Sequence, residues 1–155
     1  MTWGAKWVYV VALSVWLGQT IFFSFVVAPR VFGTMPVEEA GRVVGSIFPS
    51  YYRLGYACGV ALLSSTLILW YGAGGFGRWA LSTGVAALML AATLYAGIVI
   101  QPRTHALRPQ IHDPAVPAAV KADFDRLHRR AVQLNGLVLI AGLVLTGITA
   151  AGLRN

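Results

Sequence analysis

The residues able to do chemistry are few, and they crowd toward one part of an otherwise apolar pattern. Gln19, Arg30, Arg53, Gln101, Arg103, Asp125, His128 and Asn135 each lie inside or at the edge of a long uncharged stretch, and together they form a candidate binding cluster. Asp125, His128, Val132 and Asn135 recur at i, i+3, i+7 and i+10, which puts them on one face of a helix. A carboxylate and an imidazole one turn apart can hold a metal ion or pass a proton. His105 and His128, both near helix ends, are the candidate metal or haem ligands. Each feature also has an ordinary reading. Asp125 stands four residues before Arg129, the spacing of a plain surface pair. Arginines flanking an apolar stretch snorkel toward water, and a membrane glutamine commonly bonds to a neighbouring helix.

Several chemistries lack a component. No uncharged stretch holds a histidine, so a mid-membrane bis-histidine haem has no ligands there and an ordinary proton relay has no carriers. The three methionines (Met1, Met35, Met89) are scattered, which leaves no methionine ladder for copper(I). Cys58 is the single cysteine, so neither an intrachain disulfide nor a Cys-x-x-Cys site is available, and a small buried side chain is expected. Serines occur without a base at comparable depth, and nothing here predicts an enzyme.

The elements that must position the cluster follow from the spacing of the charges. The 155 residues are 57% hydrophobic and 11% charged, against about 25% charged in soluble domains. No charge lies between Lys6 and Arg30, Arg53 and Arg78, Arg78 and Arg103, or Arg130 and Arg154, gaps of 23, 24, 24 and 23 residues. A helix crossing a bilayer needs about 20 mainly apolar residues. The chain meets that length four times. It is predicted to be an all-α integral membrane four-helix bundle in the lipid bilayer, with spans of about 5–28, 53–72, 79–101 and 131–152. A soluble enzyme and a nucleic-acid-binding domain are excluded, and the net charge of +7 has a topological explanation. Lys6, Arg78 and Arg154 fall on one side of the spans, whereas nine basic residues (Arg30, Arg42, Arg53, Arg103, Arg108, Lys121, Arg126, Arg129, Arg130) fall on the other. The positive-inside rule then puts both long loops in the cytoplasm and both termini outside a bacterial inner membrane.

Prolines punctuate the helices. Pro29 and Arg30 are expected to end helix one, and Pro102 helix three. Residues 36–48 read as a short interfacial helix, with Glu38 and Glu39 in its first turn and Pro49 breaking it before helix two. The glycine-rich stretch 72–77 is a tight hairpin, and 102–117 is a proline-rich loop in which His112 is solvated. Val120, Phe124, Leu127, Ala131 and Leu134 form an apolar stripe running unbroken into the fourth span. Helix four is therefore expected to be one rod over about 118–152, its first third standing in the cytoplasm. Small pairs at four-residue spacing (Ser14/Gly18, Gly55/Gly59, Thr93/Gly97, Gly147/Ala151) suit close helix packing in lipid, within the bundle or in a homo-oligomer.

The string WLGQTIFFSFVVAPRVF (16–32), then Glu39-Ala40-Gly41, Phe48-Pro49-Ser50-Tyr51, and FDRLHRRAVQLN (124–135) resemble the transmembrane-protein-205-like family over almost the whole chain. The resemblance implies a small four-helix membrane protein, in a family whose best-known human member is associated with resistance to platinum drugs. Pro29, Pro49, Tyr52, Pro102, His128 and Asn135 match motif positions, while Gln19 and Ala131 depart from the pattern. Three functional expectations follow. The first is non-enzymatic handling of a metal complex or small solute at the cytoplasmic end of the bundle. The second is an accessory or assembly subunit of a larger membrane complex. The third is a haem-binding redox protein with His105 or His128 as ligand.

Overall fold

A bilayer offers no water to an unpaired backbone group, so a segment that enters it as a helix must continue as one. The chain obeys this more strictly than its prolines suggest. The structure, a computed structural model, describes residues 2–74, 77–111 and 115–152; His112 and the middle of the glycine-rich hairpin lie outside the described residues. Four helices are long and apolar enough to cross a membrane: span one (Trp3–Thr34), span two (Val37–Ala73), span three (Arg78–Leu107) and span four (Ala118–Ala151). Among the described residues there is no strand. The protein is an all-α integral membrane four-helix bundle.

Three expected helix ends are helix interiors. Span one runs through Pro29 to Thr34, and span three through Pro102 to Leu107. Each passes its proline by widening into a π-helical stretch just before it, Phe23–Val27 in span one and Tyr95–Ile100 in span three. The amide preceding each proline bonds five residues back: Ala28 N–H to the Phe23 carbonyl, and Gln101 N–H to the Ala96 carbonyl. The wider turn makes room where a proline ring would otherwise strike the carbonyl four residues earlier. The third case is Pro49. The expected interfacial helix over 36–48 is instead continuous with helix two in one 37-residue helix. A mid-helix proline costs about 3 kcal/mol, but breaking here would strand backbone groups and unpack the buried Ala40, Val44 and Gly45.

The two halves of the chain follow one plan. Thr20 and Thr93 each lie nine residues before the Pro-Arg pair, and each hydroxyl donates to the carbonyl four residues back, Trp16 and Met89, at 2.9 Å. Pro36 and Pro117 then stand at the N-caps of spans two and four with similar extended backbones. Span four is the single rod that its stripe predicts, 34 residues long or about 51 Å. Span two ends at Gly74, whose φ of 61° is the left-handed conformation glycine supplies at a helix C-terminus.

The spans pack in a ring, one beside two, two beside three, three beside four, and four closing onto one. Tyr9, Leu13 and Trp16 meet Cys58 and Leu62, Ala86 and Met89, and Val138 and Leu145 at the centre. Close approach depends on glycine at two levels. A methyl group on Gly59 would lie 2.7 Å from Leu90 Cδ1 and 2.9 Å from Trp16, and one on Gly142 would lie 2.6 Å from Leu17 Cδ2. The end opposite the long loops is tied together by side-chain contacts. There the Tyr9 hydroxyl pairs with Thr149 Oγ1 at 2.8 Å, its ring meets Trp79 edge-on at 5.6 Å, and Arg78 donates to the Gly152 carbonyl at 2.9 Å. At the loop end, the Arg108 guanidinium crosses back over residues 41–45 of span two and donates to the Gly41 carbonyl. Burial there lowers its pKa, though a guanidinium keeps its charge.

Candidate functional site

Midway along the bundle the packing changes from interlocked apolar side chains to a mainly apolar cleft with a few polar groups in its walls. Trp16 from span one, Tyr51 and Tyr52 from span two, Ala92, Thr93 and Ala96 from span three, and Ala131, Leu134, Asn135 and Val138 from span four line it. In this conformation its interior has room for about one water-sized molecule. Its wall is held by a hydrogen-bond chain across three helices. The Tyr51 hydroxyl donates to Asn135 Oδ1 at 2.5 Å and lies 3.4 Å from Thr20 Oγ1, while Asn135 Nδ2 donates to Ser24 Oγ at 2.9 Å. Ser24 belongs to the π-helical stretch of span one.

Gly55 lets this region close up. A methyl group on it would sit 3.1 Å from Thr93 Cγ2, 3.4 Å from Gln19 Nε2 and 3.6 Å from Trp16 Nε1. Gln19 Nε2 therefore stands beside two residues that line the cleft, and it is buried without a hydrogen-bond partner among the described residues. An unpaired buried donor costs about 1–3 kcal/mol, so natural structures rarely leave one without a reason. Among the described residues, Trp16 Nε1 and the Tyr52 hydroxyl also spend no hydrogen bond. An aromatic ladder leads from the loop end to the cleft. Phe48 lies 5.5 Å from Phe23 and 5.9 Å from Tyr52, Tyr51 and Tyr52 are 5.4 Å apart, and Tyr52 stacks on Tyr56 at 6.3 Å. Gly97, in the second π-helical stretch, leaves the space that Tyr52 and Tyr56 fill.

The residues singled out from sequence divide between this cleft and the surface. Tyr52 and Asn135 line the cleft, Gln19 lies behind its wall near Gly55, and Gln101 is half-buried farther along span three. Arg30, Arg53, Arg103, Asp125, His105 and His128 are exposed. Arg53 bends back along its own helix, donating to the Pro49 carbonyl at 3.2 Å and to Ser50 Oγ at 3.3 Å. The His128 ring lies flat against Phe124 at 6.2 Å. The ion pair on that stretch joins Arg126 to Asp123 at 2.8 Å; Asp125 has no such contact with Arg129. Among the described residues no three His, Cys, Asp or Glu side chains gather as a metal site requires. Pro29, Pro49 and Pro102 are exposed positions within helices and touch no site. Sequence reasoning did not single out Trp16, Thr20, Ser24, Gly55 or Thr93 as functional. The available signal was that Gly55 and Thr93 both belong to small-residue pairs, one helical turn from Gly59 and Gly97 respectively.

Comparison with known proteins bears on the same residues. Positions 11–113 match the family described as Domain of unknown function (DUF4149). The chain belongs to that family. The DUF4149 match takes in Trp16, Tyr51 and Thr93 from three walls of the cleft, while Asn135 on span four lies beyond it. An uncharacterized protein of Aquifex aeolicus (strain VF5) is 35% identical over 96 residues, which cover 62% of this DUF4149 chain and 66% of that relative, just under two thirds of its length. No solved structure matches the chain.

Proposed function

We propose that the protein is a non-enzymatic membrane binder or carrier of a small solute, taken up in the cleft between the four spans from the loop end. The observation that carries this reading is the cleft lined from all four spans by Trp16, Tyr52, Thr93 and Asn135, with the Gln19 amide packed behind Trp16 and Thr93 and making no hydrogen bond among the described residues. The two ends of the bundle support a direction of access. Tyr9, Trp79 and Thr149 tie together the end opposite the long loops, whereas the cleft approaches the loop end through a ladder of aromatic rings. Nine basic residues against three put the loop end in the cytoplasm and the termini outside, in the inner membrane of a bacterium. The polar groups lining the cleft are amides and hydroxyls, without carboxylate, thiol or imidazole. They suit a small solute better than a metal ion, so of the two cargoes expected from sequence the small solute is retained. We also assign the chain, on its motif strings, to the transmembrane-protein-205-like group.

Cysteine accessibility tests the reading. In a Cys58→Ala background, Ala131→Cys and Ala96→Cys in the cleft wall should react with a membrane-impermeant, water-soluble thiol reagent applied from the loop side of oriented vesicles. A cysteine in the apolar core between Tyr9 and Trp16, Ala12→Cys, should not react from either side. Protection of both cleft cysteines from both sides would remove the proposal, as would labelling from the terminal side alone.

A further inference from the structure

Each span is longer than a bilayer requires. The four helices hold 32, 37, 30 and 34 residues, or ~45–55 Å, against an apolar layer ~30 Å thick. Length alone therefore does not fix how deep the bundle sits, and the charged residues must. Trp7, Tyr71 and Trp79 belong to the end opposite the long loops, where aromatic rings mark the edge of the layer. Counted from them, Arg30 lies 23 residues on from Trp7 and Arg103 lies 24 on from Trp79, or ~34 and ~36 Å. Arg53 is 18 residues from Tyr71, but its guanidinium turns back to the Pro49 carbonyl and Ser50 Oγ, at ~32 Å. Thr149 meets Tyr9, two residues inside Trp7. That contact sets span four in register, and Arg129 and Arg130 then fall at ~33 and ~31 Å.

These depths coincide. All five arginines fall within ~31–36 Å, just past the apolar layer and inside the headgroup layer that brings a bilayer to ~40–45 Å. The described acids stand farther out, Asp125 and Asp123 at ~39 and ~42 Å, Glu39 and Glu38 beyond ~45 Å. The two ion pairs belong to that outer zone, Arg42 with Glu39 at 3.9 Å and Arg126 with Asp123 at 2.8 Å. Among the described residues none of the five arginines has a carboxylate partner, and all five are exposed. The spans pack as a ring, so this layer has an arginine at every corner. The positive-inside rule counts lysine and arginine alike, yet both lysines, Lys6 and Lys121, lie outside the layer. A guanidinium presents paired N–H donors that match two oxygens of one phosphate, which an ammonium does not. We propose that Arg30, Arg53, Arg103, Arg129 and Arg130 form a collar that binds the headgroup phosphates of anionic phospholipids and so fixes the depth of the bundle. An anionic lipid is the favoured occupant because its phosphate carries no ammonium of its own, leaving the collar to neutralise it. The collar is independent of the cleft and of what the cleft binds.

The test is the thermal unfolding midpoint of the full chain in neutral detergent, titrated with phosphatidylglycerol or with phosphatidylcholine of the same acyl chains. Phosphatidylglycerol is expected to raise the midpoint by several degrees in a saturable way, and phosphatidylcholine to raise it far less. The triple variant Arg30→Gln, Arg53→Gln, Arg103→Gln should lose most of the difference. A matched triple, Arg42→Gln, Lys121→Gln, Arg126→Gln, removes the same charge from outside the collar and should keep it. If the collar triple fails to fold, the single variants Arg30→Gln and Arg103→Gln carry the comparison, each with a several-fold higher half-saturating concentration of phosphatidylglycerol. Equal midpoints in the two lipids for the unmodified chain would overturn the proposal. So would equal losses in the two triples, which would mean that net charge alone draws the lipid. Glycerol 3-phosphate supplies the phosphate without acyl chains. Equal stabilisation by it at the same concentration would overturn the lipid as occupant and make the collar a site for soluble phosphates.

Discussion

Asn135 is the side chain on which the cross-bundle network turns, and replacing it by leucine removes two hydrogen bonds at once, with Tyr51 at 2.5 Å and with Ser24 at 2.9 Å. In water the stranded partners would each cost the desolvation of a buried polar group. Within a bilayer-embedded bundle the loss is smaller, because interhelical hydrogen bonds average about 0.6 kcal/mol and reach ~1.7. The local geometry says which partner suffers. The Ser24 hydroxyl can turn to a carbonyl of its own helix, as Thr20 does toward Trp16 at 2.9 Å. Tyr51 has only Thr20 Oγ1 at 3.4 Å to fall back on. Two average bonds, less the recovery at Ser24, give an expected destabilisation of about 1–1.5 kcal/mol for Asn135→Leu. Tyr51→Phe should cost about 0.5–1 kcal/mol. Because both substitutions break the same bond, the double variant should cost about 0.5–1 kcal/mol less than the sum of the singles. Reversible unfolding in mixed micelles of neutral detergent and sodium dodecyl sulfate measures all four corners of the cycle. Strict additivity would refute the reasoning, since it would mean that the Tyr51–Asn135 contact does not hold the helices together.

Further perturbations have equally definite expectations. Gly59→Val forces side-chain atoms into Trp16 and Leu90, which a methyl group alone would approach within 2.9 and 2.7 Å; it should cost about 1–3 kcal/mol as an overpacked core, read in the same unfolding assay. Tyr9→Phe removes the 2.8 Å bond to Thr149 at the end opposite the long loops and should cost about 1 kcal/mol, with faster reaction of an Ala12→Cys probe as a second readout. Arg108→Gln releases the contact with Gly41; limited proteolysis should then cut the connection after span three several-fold faster, while the micellar unfolding midpoint moves little. Gly74→Ala places a Cβ at φ 61°, a left-handed strain of about 1–2 kcal/mol, which should appear as the corresponding fall in unfolding free energy.

The architecture was legible because the intervals between charges match what a bilayer demands, a constraint that side-chain detail hardly disturbs. The helix ends were not. Pro29, Pro49 and Pro102 read as stops by rules drawn from water-exposed chains, where a broken turn can bond to solvent. In lipid the backbone has no such outlet, and the chain widens its turns at Phe23–Val27 and Tyr95–Ile100 instead of stopping. Of the site, Gln19 and Asn135 could be found because an amide in an apolar run is conspicuous. Trp16 and Tyr51 could not: a tryptophan in mid-span reads as ordinary apolar packing and a tyrosine beside Arg53 as part of the run into helix two, until a structure brings them against partners on other helices. Arg30, Arg103 and His105 attracted notice for their chemical types, yet they are exposed.

The π-helical stretches also change where everything after them points. One additional residue in a turn advances the helix by about 100° relative to an uninterrupted α-helix, since each residue accounts for 1/3.6 of a revolution. Spans one and three thus each carry a built-in phase slip immediately before their Pro-Arg pairs. A helical wheel drawn across all of span one assigns Arg30 and Phe32 to directions they do not take, and the same holds for Arg103 and His105 in span three. Deleting one residue within Phe23–Val27 would restore the α-helical phase and swing the Pro29–Arg30 end round the helix axis without touching the cleft-lining Trp16 upstream. The two slips work like offset keys, letting an inner segment face the bundle while the outer segment of the same helix presents a different side to its surroundings.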